Sequence, residues 1–286
     1  MSDNDLTLIT DAIRKAGNAI MAYYRPGETV SSDAEVRHKS PDNPLTKADL
    51  EADRILHEIL TQARPDYGWL SEETTDDASR LSKDRVWVVD PIDGTKEYIM
   101  GIPQFAVSVG LVENGLPIAA AVYNPAADEL FSAARGQGIT LNGKPIHTSS
   151  REELFGATCL ASRSETKRGE WDQFKDELKV STMGSIAYKL AVVACGRLDM
   201  TFTLTPKNEW DFCAGTLLVE EAGGQVTHKD GSPVSFNRTN PKVRSLLATN
   251  GPLHQPLLDR LVDVPLSIDR HALAAAEKAK AAGSES

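Results

Sequence analysis

The chain has 286 residues, of which 41% are hydrophobic and 25% charged, and a formal net charge of −10. That length exceeds one typical domain and supports a sizeable core, while the negative charge argues against duplex nucleic acid as a partner and leaves room only for a local basic pocket. No apolar run reaches the ~18 residues that a membrane span requires, and the acidic start Met1-Ser2-Asp3-Asn4-Asp5 lacks a secretory signal, which predicts a cytoplasmic protein without a membrane partner.

Leu6, Ile9, Ile13, Ala16, Ile20 and Tyr23 recur at helical spacing, so a helix is predicted over residues 5–24, ended by Pro26-Gly27. Residues 26–44 are polar and read as a loop, in which Lys39 either reaches over a phosphate or is simply solvated. A second helix is predicted over 46–63, with Thr46 as N-cap and Asp49 in the first turn. It sets Leu50, Asp53, Leu56 and Leu60 along one face, with Ile55 and Ile59 beside it. Trp69-Leu70 makes a short strand that delivers Glu72 and Glu73 at its end. Val86 to Val89 is β-branched and aromatic, a buried strand that aims Asp90 from its C-terminal end. Strands at Phe105–Val112, Ile118–Asn124 and Glu129–Ala134, with turns at Asn114-Gly115 and Asn142-Gly143, predict an antiparallel meander.

After Thr148-Ser149-Ser150 the pattern changes. Strands at Thr158–Ser162, Met200–Leu204 and Ser245–Thr249 alternate with helices at Ser185–Cys195, Asp211–Ala222 and 252–263, an α/β arrangement. The expected organisation is an α+β lobe over 1–150, an α/β lobe over 151–268, and a frayed or disordered tail over 269–286.

Chemistry concentrates in Asp90-Pro91-Ile92-Asp93-Gly94-Thr95. Pro91 turns the chain, so Asp90, Asp93 and the Ile92 carbonyl can offer three oxygens to one hard cation, a donor set that suits Mg²⁺. Gly94 admits a ligand close to the backbone, and Thr95 is placed to cap a following helix whose N–H groups would receive an anion. Two acids in a turn are ordinarily solvated, and Asp211, at the start of an apolar helix, is as readily a simple cap. The company of Glu72, Asp90, Asp93 and Asp211 is what turns the reading toward metal.

Four blocks, Leu45-Thr46-Lys47-Ala48-Asp49, Ser71-Glu72-Glu73, Asp90 to Thr95, and Trp210-Asp211 with Glu221-Ala222-Gly223-Gly224, occur in that order. In this order the chain resembles the lithium-sensitive, magnesium-dependent phosphomonoesterases, the superfamily of inositol monophosphatase, fructose-1,6-bisphosphatase and 3'(2'),5'-bisphosphate nucleotidase. The resemblance implies a layered αβαβα sandwich, two or three Mg²⁺ ions, and commonly a homodimer. It also implies metal ligation by Glu72, Asp90, Asp93, Asp211 and the Ile92 carbonyl. Thr95, Glu72 and Asp49 are the implied catalytic residues, Thr95 orienting a nucleophilic water.

Other chemistries find little support. The three cysteines, Cys159, Cys195 and Cys213, form no C-x-x-C pair and sit among apolar residues. The six histidines show no zinc-site spacing, and Gly184-Ser185 lacks the flanks of a nucleophile elbow. For the substrate, Lys96-Glu97-Tyr98 resembles the bisphosphate nucleotidase variant and favours 3'-phosphoadenosine 5'-phosphate. Ser162-Arg163-Ser164 resembles the nucleotidase segment too, although Glu165 replaces its histidine. Lys189 would supply a cation for a second phosphate, and Glu209 at the mouth would accept bonds from sugar hydroxyls. The expected substrate contacts are thus Asp93, Gly94, Thr95, Ser162, Arg163, Gly184, Ser185, Lys189, Glu209 and Asp211. The alternatives are an inositol or sugar monophosphatase and, from another class, a regulator that binds phosphate esters without cleaving them.

Overall fold

A computed structural model describes residues 2–30, 34–40 and 43–267. The Lys39 side chain and the tail at 269–286 lie outside the described residues. The helices are α1 (Ser2–Met21), α2 (Lys47–Ala63), α3 (Thr95–Ile99), α4 (Arg163–Lys167), α5 (Ile186–Ala194), α6 (Glu209–Glu221) and α7 (His254–Leu261). A short hairpin, β1 (Arg37–Ser40) and β2 (Asn43–Leu45), precedes α2. The large sheet follows as β3 (Gly68–Ser71), β4 (Arg85–Asp93), β5 (Ala106–Glu113), β6 (Leu116–Asn124), β7 (Glu129–Ala134), β8 (Ile139–Leu141) and β9 (Lys144–Pro145). Its strands lie in sequence order, β3 and β4 parallel and all later neighbours antiparallel, so the expected meander is present. The later strands are β10 (Thr158–Ala161), β11 (Lys179–Thr182), β12 (Met200–Thr203), β13 (Lys207–Asn208), β14 (Gln225–Thr227), β15 (Lys242–Val243) and β16 (Leu246–Thr249). Five of them form a second sheet in the order β11-β10-β12-β16-β14, and β13 pairs with β15.

Strand alternation builds the layers. Trp87, Val89, Val107, Val109, Ala119 and Ala121 project from one face of the large sheet onto Ile9, Ile13, Ile20, Leu56 and Leu60 of α1 and α2. Val86, Val88, Ala120 and Val122 project from the other face onto α5 and α6, whose far side meets Leu160, Leu246 and Ala248 of the second sheet. That sheet in turn buries Cys159, Phe202 and Leu247 against Trp171, Phe174 and Leu257, the last from α7. The result is helix, sheet, helix, sheet, helix, the αβαβα sandwich. Among the described residues, no helix is long and apolar enough to cross a membrane.

Several local expectations need correction. β4 does not end at Val89 but runs to Asp93, because Pro91, lacking an N–H, is absorbed in a bulge: Asp90 pairs with Ser108 and Asp93 with Ala106, three residues on β4 against two on β5. Helix α6 begins at Glu209, two residues before Asp211. Leu50 is 44% exposed, because the buried stripe of α2 is Ala48, Asp49, Ala52, Leu56 and Leu60.

Between α5 and α6 the backbones approach closely at Gly215, where an added Cβ would stand 2.4 Å from Leu190 Cδ1 and 2.6 Å from its Cβ. Gly215→Ala should therefore lower unfolding free energy by about 1–3 kcal/mol despite alanine's higher helix propensity. Urea denaturation measures this, and an unchanged or raised midpoint would contradict the packing.

Candidate active site

Three elements bring acids to one point. β4 and its bulge carry Asp90, the segment after β3 carries Glu72, and the first turn of α6 carries Asp211. One carboxylate oxygen from each lies within 4.8 Å of the others. They line a cleft of about 180 Å³ with Ile92, Asp93, Gly94 and Thr95. A larger cavity, about 880 Å³, is elsewhere, lined by Lys229, Arg244 and Pro265 among others. It shares no residue with the carboxylate cluster, so the chemistry belongs to the smaller cleft.

Three of the aspartates, Asp49, Asp93 and Asp211, share one device: each spends Oδ2 on the scaffold. Asp49 Oδ2 accepts the Thr46 N–H at 2.7 Å and the Thr46 hydroxyl at 2.6 Å, closing the capping box of α2. Asp211 Oδ2 accepts the Asn208 N–H at 2.9 Å at the start of α6. Asp93 Oδ2 accepts the Ser185 hydroxyl and the Ala187 N–H, both at 2.6 Å. Ser185 holds this position with φ at +58°, a strained value for a residue with a side chain. Asp90 Oδ1 receives the Ile92 N–H at 3.1 Å across Pro91.

Thr95 does not cap α3 with its side chain. Gly94 is the N-cap, at φ +96°, where a Cβ would stand 2.9 Å from the Gln104 carbonyl oxygen. The Thr95 hydroxyl is therefore free to lie between two acceptors, Asp49 Oδ1 at 3.2 Å and the Ile92 carbonyl at 3.0 Å.

Burial and mutual repulsion shape the titration of this cluster. Burial, then the charges of Glu72, Asp93 and Asp211, hold Asp90 protonated well above the usual carboxylate range. Burial, then Asp93 and Glu72, push Asp211 up to about 8. Burial raises Asp93 to about 6 against the hydrogen bonds from Ser185 and Ala187, and raises Asp49 to about 6 against those from Thr46. Converging, all-oxygen carboxylates of this kind fit a hard divalent cation, which would relieve the repulsion and displace the protons. Glu72, Asp90 and Asp211 are the residues that would hold it, with Asp93 and the Ile92 carbonyl lining the same cleft.

The outer residues expected to touch substrate are arranged differently. Lys189 is 1% exposed on α5, a helix buried on all sides between the two sheets. Desolvation lowers its pKa against the opposing charges of Glu165 and Asp93, and it does not face the cleft as a phosphate-binding cation. Glu209 is fully buried, and its carboxylate accepts the N–H groups of Asn237 at 2.6 Å and Arg238 at 3.2 Å, leaving it no role toward sugar hydroxyls. Ser162 caps α4 by accepting the Glu165 N–H. Arg163 donates to Glu97 Oε1 at 3.0 Å and to Gln104 Oε1. Gly184 is compelled by the same group, since a Cβ there would fall 2.2 Å from Glu97 Cδ.

Sequence reading missed several supports. Asp53, one turn after Asp49, accepts the Ser71 hydroxyl at 2.5 Å and the Thr74 hydroxyl at 3.0 Å, steadying the segment that carries Glu72. Its signal was an acid on an otherwise apolar helical face. Gln104, which also accepts the Gly184 N–H at 3.2 Å, left no such signal.

The family model described as "Inositol monophosphatase family" matches residues 2–265. The chain is 37% identical over 239 residues to an inositol-1-monophosphatase of Rhizobium meliloti, covering 79% of this chain and 86% of that one. It is 35% identical over 255 residues to the Nus factor SuhB of Xylella fastidiosa, covering 86% and 90%. The solved inositol monophosphatase of Anabaena superimposes with a TM-score of 0.76 at 30% identity, over 93% of this chain and 98% of that one.

The raised carboxylate pKa values set a stability profile. Unfolded aspartate titrates near 3.9, below the values of about 6 for Asp49 and Asp93 and about 8 for Asp211. The folded state thus binds more protons, and this stabilisation, fully present below the unfolded pKa, is lost as pH rises through about 6 to 8. With EDTA present, Tm should fall across that interval, and excess Mg²⁺ should restore it most at the alkaline end. A metal-free Tm that climbs over the same interval would contradict the buried-cluster geometry.

Proposed function

Because the chain belongs to the inositol monophosphatase family, we propose that it is a Mg²⁺-dependent phosphomonoesterase acting on inositol monophosphates and related polyol phosphates. The observation that carries this reading is the convergence of Glu72, Asp90 and Asp211 beside Thr95 in one cleft. Phosphate monoesters hydrolyse very slowly in water, so a catalyst must neutralise a dianion and prepare a water for attack. Bound Mg²⁺ would supply the neutralising charge and acidify water at neutral pH. The protein supplies orientation. Ionised Asp49 draws the Thr95 proton toward Oδ1, which leaves the Thr95 oxygen lone pairs to accept a hydrogen bond from the attacking water and align it. Asp93 is held rigidly by Ser185 and Ala187, and Gly94, at φ +96°, makes the turn that leads from Asp93 to Thr95.

Within this reaction the inositol-type reading is favoured over the adenosine bisphosphate first suggested by Lys96-Glu97-Tyr98. Lys189 and Glu209, expected to serve a second phosphate and a ribose, are buried, and Arg163 is engaged by Glu97 and Gln104. Relatives bearing the inositol-1-monophosphatase name point the same way. The complete set of acids also weighs against a purely binding role.

Phosphate release with Mg²⁺ should give a higher kcat/KM for inositol 1-phosphate than for 3'-phosphoadenosine 5'-phosphate, 5'-AMP or fructose 1,6-bisphosphate. Preference for the adenosine bisphosphate by about 100-fold, or ~2.7 kcal/mol in transition-state binding, would reverse this substrate assignment.

Asp90→Asn should abolish turnover while the folded protein persists, as circular dichroism and Tm can show. Near-normal turnover in that variant would sink the metal assignment.

A further inference from the structure

Glu72 and Asp211 come from segments far apart in sequence, and a polar chain anchored on buried Arg80 and Glu209 links those segments. After Glu72 the chain enters a 3-10 turn, Ser79–Ser82, where Arg80 is only 1% exposed. Arg80 packs against the start of β3, where a Cβ on Gly68 would stand 2.9 Å from its own Cβ. Its guanidinium closes the loop by donating to both oxygens of Asp76, at 3.1 and 2.8 Å. The remaining donors cross to a distant segment: Nη1 reaches Asn237 Oδ1 at 2.7 Å, and Nη2 reaches the Arg238 carbonyl at 3.0 Å. The N–H groups of those same two residues donate to the Glu209 carboxylate, and Arg238 Nε adds a contact at 3.2 Å. Glu209 opens α6, two residues before Asp211, and its own N–H is fixed by the Pro241 carbonyl at 2.8 Å.

We propose that Arg80, Asn237 and Glu209 form a strap that sets the separation of Glu72 from Asp211, making them positioning residues for cation binding. The inference rests on the metal reading above. Two of the three clustered carboxylates repel each other across a junction between non-adjacent segments; the Glu72 segment is tied to β4 by the Glu72 N–H on the Val89 carbonyl at 3.3 Å and to α2 through Asp53, but neither contact links it directly to the start of α6. The strap does, and its bidentate and charge-assisted bonds resist displacement in more than one direction. Glu209 is buried without facing the cleft because its carboxylate terminates the strap.

The test is Mg²⁺ titration into the metal-free full-length protein by calorimetry, with kcat and KM for inositol 1-phosphate measured alongside. Arg80→Met removes the crossing bonds. Asn237→Gly removes only the side-chain link and is expected to fold well, since Asn237 sits at φ +58°, where glycine is at ease. Asp5→Asn serves as a control. Asp5 is 2% exposed and bonds Arg64 at 2.8 Å and Arg85 at 3.3 Å, a buried cluster at the opposite end of β4 from Asp90. The Mg²⁺ dissociation constant should rise by about tenfold or more in Arg80→Met and Asn237→Gly, the cost usual for groups that orient metal ligands. At saturating Mg²⁺, KM should stay within about twofold of wild type, since no substrate contact is removed. Asp5→Asn should lose thermal stability and keep its Mg²⁺ affinity. Wild-type affinity in Asn237→Gly, or an equal loss of affinity in Asp5→Asn, would overturn the strap while leaving the phosphatase reading intact. A wild-type protein that binds no Mg²⁺ would overturn the metal reading and the strap together.

Discussion

Repulsion among buried carboxylates is the constraint around which this molecule is organised. With oxygens of Glu72, Asp90 and Asp211 inside 4.8 Å of one another, each ionised pair opposes folding by about 3–4 kcal/mol at an effective dielectric near 20. Burial first, and this repulsion after it, favour the protonated forms in the metal-free state, which is why the aspartate pKa values climb. A divalent cation relieves it in a way that is useful for chemistry. The cluster consequently stores an affinity for cations that the surrounding layers must be stiff enough to hold.

That stiffness comes from where the acids are rooted. Asp90 sits on β4, a strand flanked in the large sheet by β3 and β5, one residue past the last β3 pair at Val89 and itself paired with Ser108 of β5. Asp49 and Asp211 each occupy the first turn of a helix, and each gives one oxygen to the backbone just before that helix. Asp93 does the same toward the start of α5. One oxygen is thus tied down while the other is aimed, in Asp49 at the Thr95 hydroxyl and in Asp93 and Asp211 left for a cation, so each carboxylate loses little further freedom on binding. The bulge at Pro91 has a matching role: it lets Asp90, Ile92 and Asp93 converge on one cleft without breaking the strand that holds them.

Much of this was legible from local pattern. The apolar run before Asp90, the Thr46 cap with Asp49, the meander from Ala106 to Ala134 and the alternation after Thr158 all rest on short-range rules of propensity, capping and periodicity. The outer site was not legible in the same way. Helical spacing put Lys189 on α5 correctly, yet an isolated helix with a lysine normally turns it to solvent. Here both flanks of α5 are covered by sheets, so no solvent side exists, and Lys189 is compensated by Glu165 and Asp93 within the protein. Glu209 misled for a related reason. Its partners, Asn237 and Arg238, lie about thirty residues downstream, where nothing in the local sequence marks them as neighbours.

The sequence by itself determined the chemistry on offer: which acids exist, that they end strands or begin helices, and that Gly94 and Thr95 follow them. Those features depend on residues within a few positions of each other, so spacing alone reveals them. Only the tertiary structure decided which acids meet, which oxygen each one spends on the scaffold, and which charged groups are enclosed away from the cleft. Periodicity states which residues share a face of a helix or strand, but what covers that face is set by the stacking of five layers and by contacts that join residues more than a hundred positions apart, such as Arg80 with Asn237.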